Sequence, residues 1–251
     1  RFYPSTTRHP KRLTPEDIAS YNEKGYITGL RVFDEFEATQ NRQYFDKLLE
    51  HVLAAGQDSY SISTAHRRYH RVWEMASSPT ILDYVEDILG GQFVLWGTHF
   101  MCKMPGDGKT VSWHQDASYW PLTPSKTVTL WLAIDDSDTE NAAMRVIPGS
   151  HHKGHLTWHL SEESENNVFG QTVHDAEQHG EAPVDLILKA GEISMHSDLL
   201  LHGSKANTSN RRRCGLTMRY AATDVKAYMG WGEKGMVCRG ENTEGNWADL
   251  P

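Results

Sequence analysis

The chain has 251 residues, 38% of them hydrophobic and 23% charged, with a formal net charge of −8, the profile of an ordinary globular chain. No apolar run approaches the ~18–20 residues a bilayer span requires, and the acidic balance argues against general nucleic-acid or anionic-membrane binding. The cysteines, Cys102, Cys214 and Cys238, are odd in number and widely spaced, with no CxxC pair; this excludes a disulfide scaffold and points to a reducing, cytoplasmic setting.

The residues from Arg1 to Arg12 are polar and basic and lack the apolar core of a signal peptide. With no initiator Met, the chain is read as starting inside a longer native one. Helical patterning then dominates the first ninety residues. Thr14, Pro15 and Asp17 form an N-terminal capping pattern, and Gly25 stops that helix. From Glu37 to Ala55 the stripe Tyr44, Phe45, Leu48, Leu49, Val52 and Leu53 predicts a second helix, closed by Gly56. Pro79 to Leu89 predicts a third, with Ile81, Leu82, Val85, Ile88 and Leu89 facing inward and Gly90 at its end.

After Gly91 the period becomes two. Strands are predicted at Phe93–Met104, Thr127–Ile134, Ala142–Ile147, Val184–Leu188, Glu192–Met195 and Arg213–Ala221. In Thr127–Ile134 the even positions Val128, Leu130, Leu132 and Ile134 are aliphatic, whereas the odd ones are Thr127, Thr129, Trp131 and Ala133. One aliphatic face and one mixed face suit a barrel wall that also lines a pocket. With no repeat and no linker, the chain reads as one α+β domain over 1–251. Its helical part spans about 13–90, a double-sheet β-barrel core about 91–222, and a C-terminal extension 223–251.

The chemistry concentrates at Ser112-Trp113-His114-Gln115-Asp116. On a strand, residues i and i+2 share a face, so His114 and Asp116 converge; that is two thirds of the two-His-one-carboxylate set that holds non-haem Fe(II). The pair alone is a weak signal. About one residue in eight is acidic, so fourteen histidines produce roughly two such pairs by chance, and the chain has three: His114/Asp116, His179/Glu181 and His196/Asp198. The second lies in a Gly- and Pro-bounded loop. The third stands four residues before His202, too close for an adjacent strand unless the chain folds sharply, which leaves His196 and Asp198 as neighbours of a site or as plain strand residues.

His202, in Leu201-His202-Gly203-Ser204, is the candidate third ligand. Eleven residues later Arg213 opens a strand, and a guanidinium forms the bidentate pair that the far carboxylate of a dicarboxylate cosubstrate needs. Ser204 shares the strand face of His202 and could donate its hydroxyl to the same group. Arg211 and Arg212 read as a solvated loop end. His151, His152, His155 and His159 read as an exposed loop, and Trp96, Trp158 and Trp231 as packing.

His114-Gln115-Asp116, Tyr119-Trp120-Pro121, Trp131, Pro148-Gly149-Ser150-His151, and His202-Gly203-Ser204 with Arg213 together resemble the phytanoyl-CoA dioxygenase family, over about Pro79 to Tyr220. The resemblance implies an Fe(II)/2-oxoglutarate-dependent oxygenase on a double-stranded β-helix (jelly-roll) fold with N-terminal buttressing helices. It implies a hydroxylase that consumes O2 and 2-oxoglutarate and releases succinate and CO2. His114, Asp116 and His202 fall on the iron ligands, and Arg213 and Ser204 on the residues that hold 2-oxoglutarate. Trp131, Thr129 and His99 fall beside the cosubstrate, and Trp120, with Tyr119, on an aromatic that borders substrate in the related ectoine hydroxylase.

Two departures qualify the match. Where that hydroxylase has a lysine near the cosubstrate, this chain has His66-Arg67-Arg68-Tyr69-His70-Arg71. Related halogenases carry a small residue where Asp116 stands, so Asp116 argues against halogenation. The expected substrate is a small molecule; the aromatics suit an apolar or cationic group, and the basic loop, as a lid, suits an anionic one (carboxylate, phosphonate, phosphate or CoA). Two rivals remain open from the residues alone: a jelly-roll protein that binds without turnover, and a cupin-like metal enzyme that does not use 2-oxoglutarate.

Overall fold

The computed structural model describes residues 1–248. The N-terminal part holds α1 (Pro15–Lys24), β1 (Tyr26–Arg31), α2 (Glu35–Ala54), α3 (His70–Ala76) and α4 (Pro79–Leu89). Then come β2 (Phe93–Lys103), β3 (Val111–His114), β4 (Leu122–Thr123), β5 (Thr127–Ala133) and β6 (Arg145–Val146). Short β7 (His159–Leu160), β8 (Gln171–Thr172) and β9 (Val184–Asp185) precede β10 (Glu192–Ser197), β11 (His202–Ser204), β12 (Arg213–Ala222), β13 (Lys226–Ala227) and β14 (Met236–Arg239).

Ten strands form the two walls of a jelly-roll. The larger sheet runs β1-β10-β5-β12-β2-β14 and the smaller β3-β11-β6-β9, with every pairing antiparallel. The period-two pattern of β5 explains its place at the centre. Val128, Leu130 and Leu132 join the main core with Leu216 and Met218 of β12, Phe45 and Leu48 of α2, Val72 and Met75 of α3, and Ile81 and Val85 of α4. Each such side chain contributes about 1.5–3 kcal/mol by leaving water. The other face of β5 looks toward the smaller sheet, where Trp131 and Ala133 pack with Met144, Val146, Leu186 and Leu200. The helices therefore buttress the outside of one wall, and the site lies between the two.

Helix boundaries follow local chemistry. Thr14 and Asp17 form a reciprocal capping box, and the Gly25 N–H closes α1 on the Tyr21 carbonyl at 2.8 Å. Helix α2 starts two residues earlier than its apolar stripe predicts, because Asp34 and Glu37 make a second capping box. Phe45, Leu48, Leu49 and Val52 are buried as expected, whereas Leu53 is exposed.

Four expectations need correction. The N-terminal region is not purely helical: β1 pairs with β10 at the edge of the larger sheet, and a register shift between Ile27 and Leu30 breaks the alternation that would have revealed it. The basic stretch is not a free loop. His66 is buried and its Nδ1 lies 2.9 Å from Thr98 Oγ1, α3 begins at His70, and Arg71 donates to Asn41 of α2 at 2.9 Å. The histidine run after Gly149 is not wholly exposed either. His151 is fully buried, with the Phe2 ring edge-on at 4.4 Å and the Asn22 carbonyl 3.1 Å from its Nε2. The strands expected at Ala142–Ile147 and Val184–Leu188 shrink to two residues each.

Burial also sets a pH response. Desolvation pulls His66, His99 and His151 from the ordinary 6.5 down to about 4. In the folded state these rings stay neutral where the unfolded chain takes up protons. Their contribution is therefore complete above pH 6.5 and is lost as the pH falls toward 4. Asp198 acts in the opposite sense: burial raises it from 3.8 to about 7, so its penalty shrinks over the same fall. Three histidines outweigh one carboxyl. The melting temperature of the metal-free protein is expected to drop between pH 6.5 and 4; a flat profile would contradict this balance.

Candidate metal centre

His114 closes β3 and His202 opens β11, and the two are direct cross-strand partners with ring centroids 4.2 Å apart. Strand β3 ends at His114, so Asp116 does not reach the site by strand alternation as expected. It opens a single 3-10 turn, Asp116–Ser118, pinned by an Ala117 N–H bond to the Asp198 carbonyl at 3.0 Å. Gln115 makes that turn possible: its amide donates to the carbonyls of Leu199 (2.6 Å) and Gly154 (2.8 Å), and its Oε1 accepts from Leu156 N–H at 2.8 Å. Gly203 is needed beside it, because a Cβ there would stand 2.6 Å from the Val111 carbonyl oxygen.

The result is a buried trio whose ligand atoms all lie within 4.8 Å of one another. Asp116 Oδ1 stands 3.8 Å from Nε2 of both His114 and His202. Each imidazole donates its Nδ1–H to a carbonyl two residues back, His114 to Ser112 at 2.8 Å and His202 to Leu200 at 3.0 Å. That fixes the tautomer and leaves each Nε2 lone pair facing the centre. Burial lowers both histidines, so they are neutral donors. Burial alone would raise Asp116, but its contacts with the His196 and His202 rings and the nearby Arg219 guanidinium hold it far below the usual carboxylate range. Two neutral imidazoles and one carboxylate, dry and preset, fit a divalent first-row metal with open positions.

The second oxygen of Asp116 is held from outside. Thr129 donates its hydroxyl to Oδ2 at 3.1 Å, and His196 Nε2 lies 3.7 Å from the same atom. His196 enters the site because the chain reverses sharply over residues 198–201, so β10 and β11 bring its ring within 4.6 Å of His202. Thr129→Val removes the hydroxyl at nearly constant volume. It is expected to weaken metal binding roughly 10–100-fold with the fold intact, read by metal titration alongside thermal melting.

The same cavity extends to Arg213, Ser204 and Trp131. Arg213 is buried, donates Nε–H to the Ala142 carbonyl at 3.0 Å, and stacks on Trp131 with 5.5 Å between guanidinium carbon and ring centre. The hydroxyl of Ser204 is buried without a hydrogen-bond partner. Trp131 lies flat on β12 only because residue 215 is glycine: a Cβ would sit 2.0 Å from the indole. Gly215→Ala must displace that ring. The expected cost is about 1–3 kcal/mol, measured by denaturant unfolding.

The remaining sequence candidates are spread. The Tyr119 ring lies 5.8 Å from His114 and 5.7 Å from Phe169, behind these two cavity residues and not itself in the lining. Trp120 packs in an aromatic cluster with Trp96 and Trp231. His99 is turned away, its Nε2–H donating to the Tyr60 carbonyl at 2.6 Å. Arg211 and Arg212 are paired with Asp138 and Glu140, and with Asp135 and Asp46, instead of simply solvated. Sequence reasoning missed Phe169 and Arg219 as cavity residues and Lys103 beside Arg213, and left His196 open between a neighbour of the site and a plain strand residue. Burial and the repulsion of Arg213 pull Lys103 down to about 7. For His196 and Lys103 the alternation of β10 and β2 was the available signal.

The sequence profile of the family described as Phytanoyl-CoA dioxygenase (PhyH) matches residues 21–215. The chain belongs to the phytanoyl-CoA dioxygenase family. Over 181 residues it is 29% identical to a protein of Stutzerimonas stutzeri named "Probable alpha-ketoglutarate-dependent hypophosphite dioxygenase", covering 69% of this chain and 61% of that one. Over 152 residues it is 32% identical to the human "Phytanoyl-CoA dioxygenase, peroxisomal", covering 58% of this chain and 44% of the relative. The match thus spans between somewhat under half and about three fifths of these two relatives. Among solved structures, the apo form of the non-heme monooxygenase ThoJ superposes with a TM-score of 0.78 at 24% identity, over 92% of this chain and 85% of that one. EctD from S. alaskensis, with 2-oxoglutarate and 5-hydroxyectoine, superposes with a TM-score of 0.75 at 18% identity, over 90% and 83%. At these identities the two structures establish the jelly-roll fold of this phytanoyl-CoA dioxygenase family member.

Proposed function

We propose that the protein is an Fe(II)- and 2-oxoglutarate-dependent dioxygenase that hydroxylates a C–H bond of a small-molecule substrate. The observation that carries this reading is one cavity with the buried His114–Asp116–His202 trio at one end and, toward the other, a buried guanidinium and an unpartnered hydroxyl, Arg213 and Ser204. A metal enzyme with no dicarboxylate cosubstrate has no use for the second feature.

In this reading His114, Asp116 and His202 hold the metal and leave open positions on the cavity side. Bound there, Fe(II) with 2-oxoglutarate and O2 supplies the oxidising power for hydroxylation, the cosubstrate leaving as succinate and CO2. The protein's task is placement. Arg213 offers a fork matched to the far carboxylate, and Ser204 a hydroxyl that has no other acceptor. Trp131 walls that end, and Met101, Met144 and Val111 keep the cavity largely apolar, which excludes bulk water. Phe169 lines the cavity near His114, where a substrate would meet the metal, and Tyr119 packs against both rings. The three free thiols support a reducing, cytoplasmic setting, and no described helix is long and apolar enough to cross a membrane.

The test is an anaerobic Fe(II) titration with 2-oxoglutarate, read by the weak visible charge-transfer band of a chelated keto acid, followed by a substrate screen on succinate release. The band is expected to appear at one equivalent of iron. Well-folded, iron-loaded protein without it would overturn the reading.

A further inference from the structure

Arg219 is a cation in the cavity that no anion contacts: the Asp116 carboxylate feels its charge but forms no ion pair with it. It lines the same space as the metal trio, yet its side chain makes no hydrogen bond and no ion pair among the described residues, and its Nε is sealed from solvent without a partner. Its guanidinium rests on two tryptophans instead, 5.4 Å from the Trp120 ring centre and 5.9 Å from that of Trp96. Arg219 is half-buried, and leaving a sealed guanidinium nitrogen unpaired is costly. Stacking on indoles offsets only part of that cost, about 0.5–2 kcal/mol per cation–π contact.

Its position separates it from the cosubstrate end. Arg213 and Arg219 point into the cavity from one strand, six residues apart, so their Cα atoms lie about 20 Å apart along β12. Arg213 stacks on Trp131 and Arg219 on Trp120 and Trp96, so the two guanidinium groups sit against different walls. Arg219 is the cross-strand partner of Thr129, the residue that holds Asp116, which puts it at the metal end. The charges agree. With a divalent metal and a dicarboxylate cosubstrate in place, Asp116 and the cosubstrate balance the metal and Arg213, and Arg219 remains unbalanced. The exposed cations of the basic stretch, Arg67 and Arg68, are not in this cavity.

Resting on the oxygenase reading, we propose that Arg219 is the substrate anchor and that the substrate is a small oxyanion, a carboxylate or phosphonate, seated against Trp120 with the oxidised carbon close to its anionic group. The guanidinium gives that group a charge-assisted, two-point hold, and the tryptophans fix the plane of the fork. Trp120 then acts as the platform of the anchor more than as a direct wall of the metal cavity.

The experiment titrates the anaerobic protein, loaded with Fe(II) and 2-oxoglutarate, with short-chain carboxylates, alkylphosphonates and the corresponding neutral amides, read by calorimetry and by perturbation of the visible band. Acids are expected to bind and shift the band, and amides to bind at least about tenfold more weakly. Arg219→Gln is expected to lower the affinity for the acids about 10–100-fold while changing the affinity for 2-oxoglutarate less than about twofold, a split that general damage to the fold would not produce. Arg219→Lys, which keeps the charge and the stem, is expected to retain part of the binding and serves if the glutamine variant does not fold. Amides that bind as well as acids, acids that bind neither enzyme form, or a matching loss of 2-oxoglutarate affinity in Arg219→Gln would each overturn the assignment. If the band never forms in the wild type, the oxygenase reading falls instead. Calorimetry of the same acids with the metal-free protein and its Arg219→Gln variant then still judges Arg219 on its own.

Discussion

Asp116→Ala is expected to abolish Fe(II) retention and all succinate release, with the fold preserved. The argument is geometric. Oδ1 of Asp116 is the one anionic atom equidistant from both free imidazole lone pairs, 3.8 Å from each, and it supplies the trio's only negative charge. Without it two neutral nitrogens remain, and the divalent ion loses both a ligand and its charge compensation. The loss should exceed the roughly 10–100-fold that removing an outer partner costs, and so exceed the effect of Thr129→Val. The surrounding turn does not depend on the carboxylate: it is held by Gln115 and by the Ala117 bond to Asp198, both of which survive the substitution. Metal analysis after gel filtration, with circular dichroism as the control on folding, decides the matter. An iron-loaded, active Asp116→Ala protein would dismantle the assigned trio.

What the sequence discloses about this molecule depends on whether the signal is local. The face pattern of Thr127 to Ala133 is local, and both its aliphatic outer face and its pocket-facing Thr129 and Trp131 are observed. Helix caps are local, so α1 and α4 could be bounded from a few residues each. The His114/Asp116 pair is local too, but at the chance rate it means little; the ordered company of His202, Ser204 and Arg213 set it apart from two similar pairs. What stayed hidden needs a second segment to be seen. The β1 strand is masked by a register shift, His196 reaches the site only through a reversal at residues 198–201, and His151 is buried only because Phe2 folds over it. Arg219 is the sharpest case. In the sequence it is one more arginine on a strand, and only packing shows that it lines the metal cavity with no hydrogen-bonded or ion-paired partner among the described residues.

Arg213→Ala is expected to act at the other end of the cavity and to leave iron binding almost untouched. Arg213 lies outside the trio, and its one protein hydrogen bond, to Ala142, uses Nε and leaves both terminal nitrogens for a ligand. Charge-assisted hydrogen bonds are worth about 1.5–3 kcal/mol each, so losing the pair should weaken 2-oxoglutarate by roughly 10²–10⁴-fold. The visible band of the iron complex should then require a correspondingly higher cosubstrate concentration, with the iron stoichiometry unchanged. Arg213→Lys separates charge from shape. An ammonium keeps the attraction but not the fork, and it adds a second amine beside Lys103, whose own charge is already disfavoured by burial and by Arg213. The lysine variant is therefore expected to recover only part of the affinity, and full recovery would mean that charge alone, without the planar two-point contact, holds the cosubstrate. An Arg213→Ala protein that saturates with 2-oxoglutarate as the wild type does would remove the cosubstrate from this end of the cavity altogether.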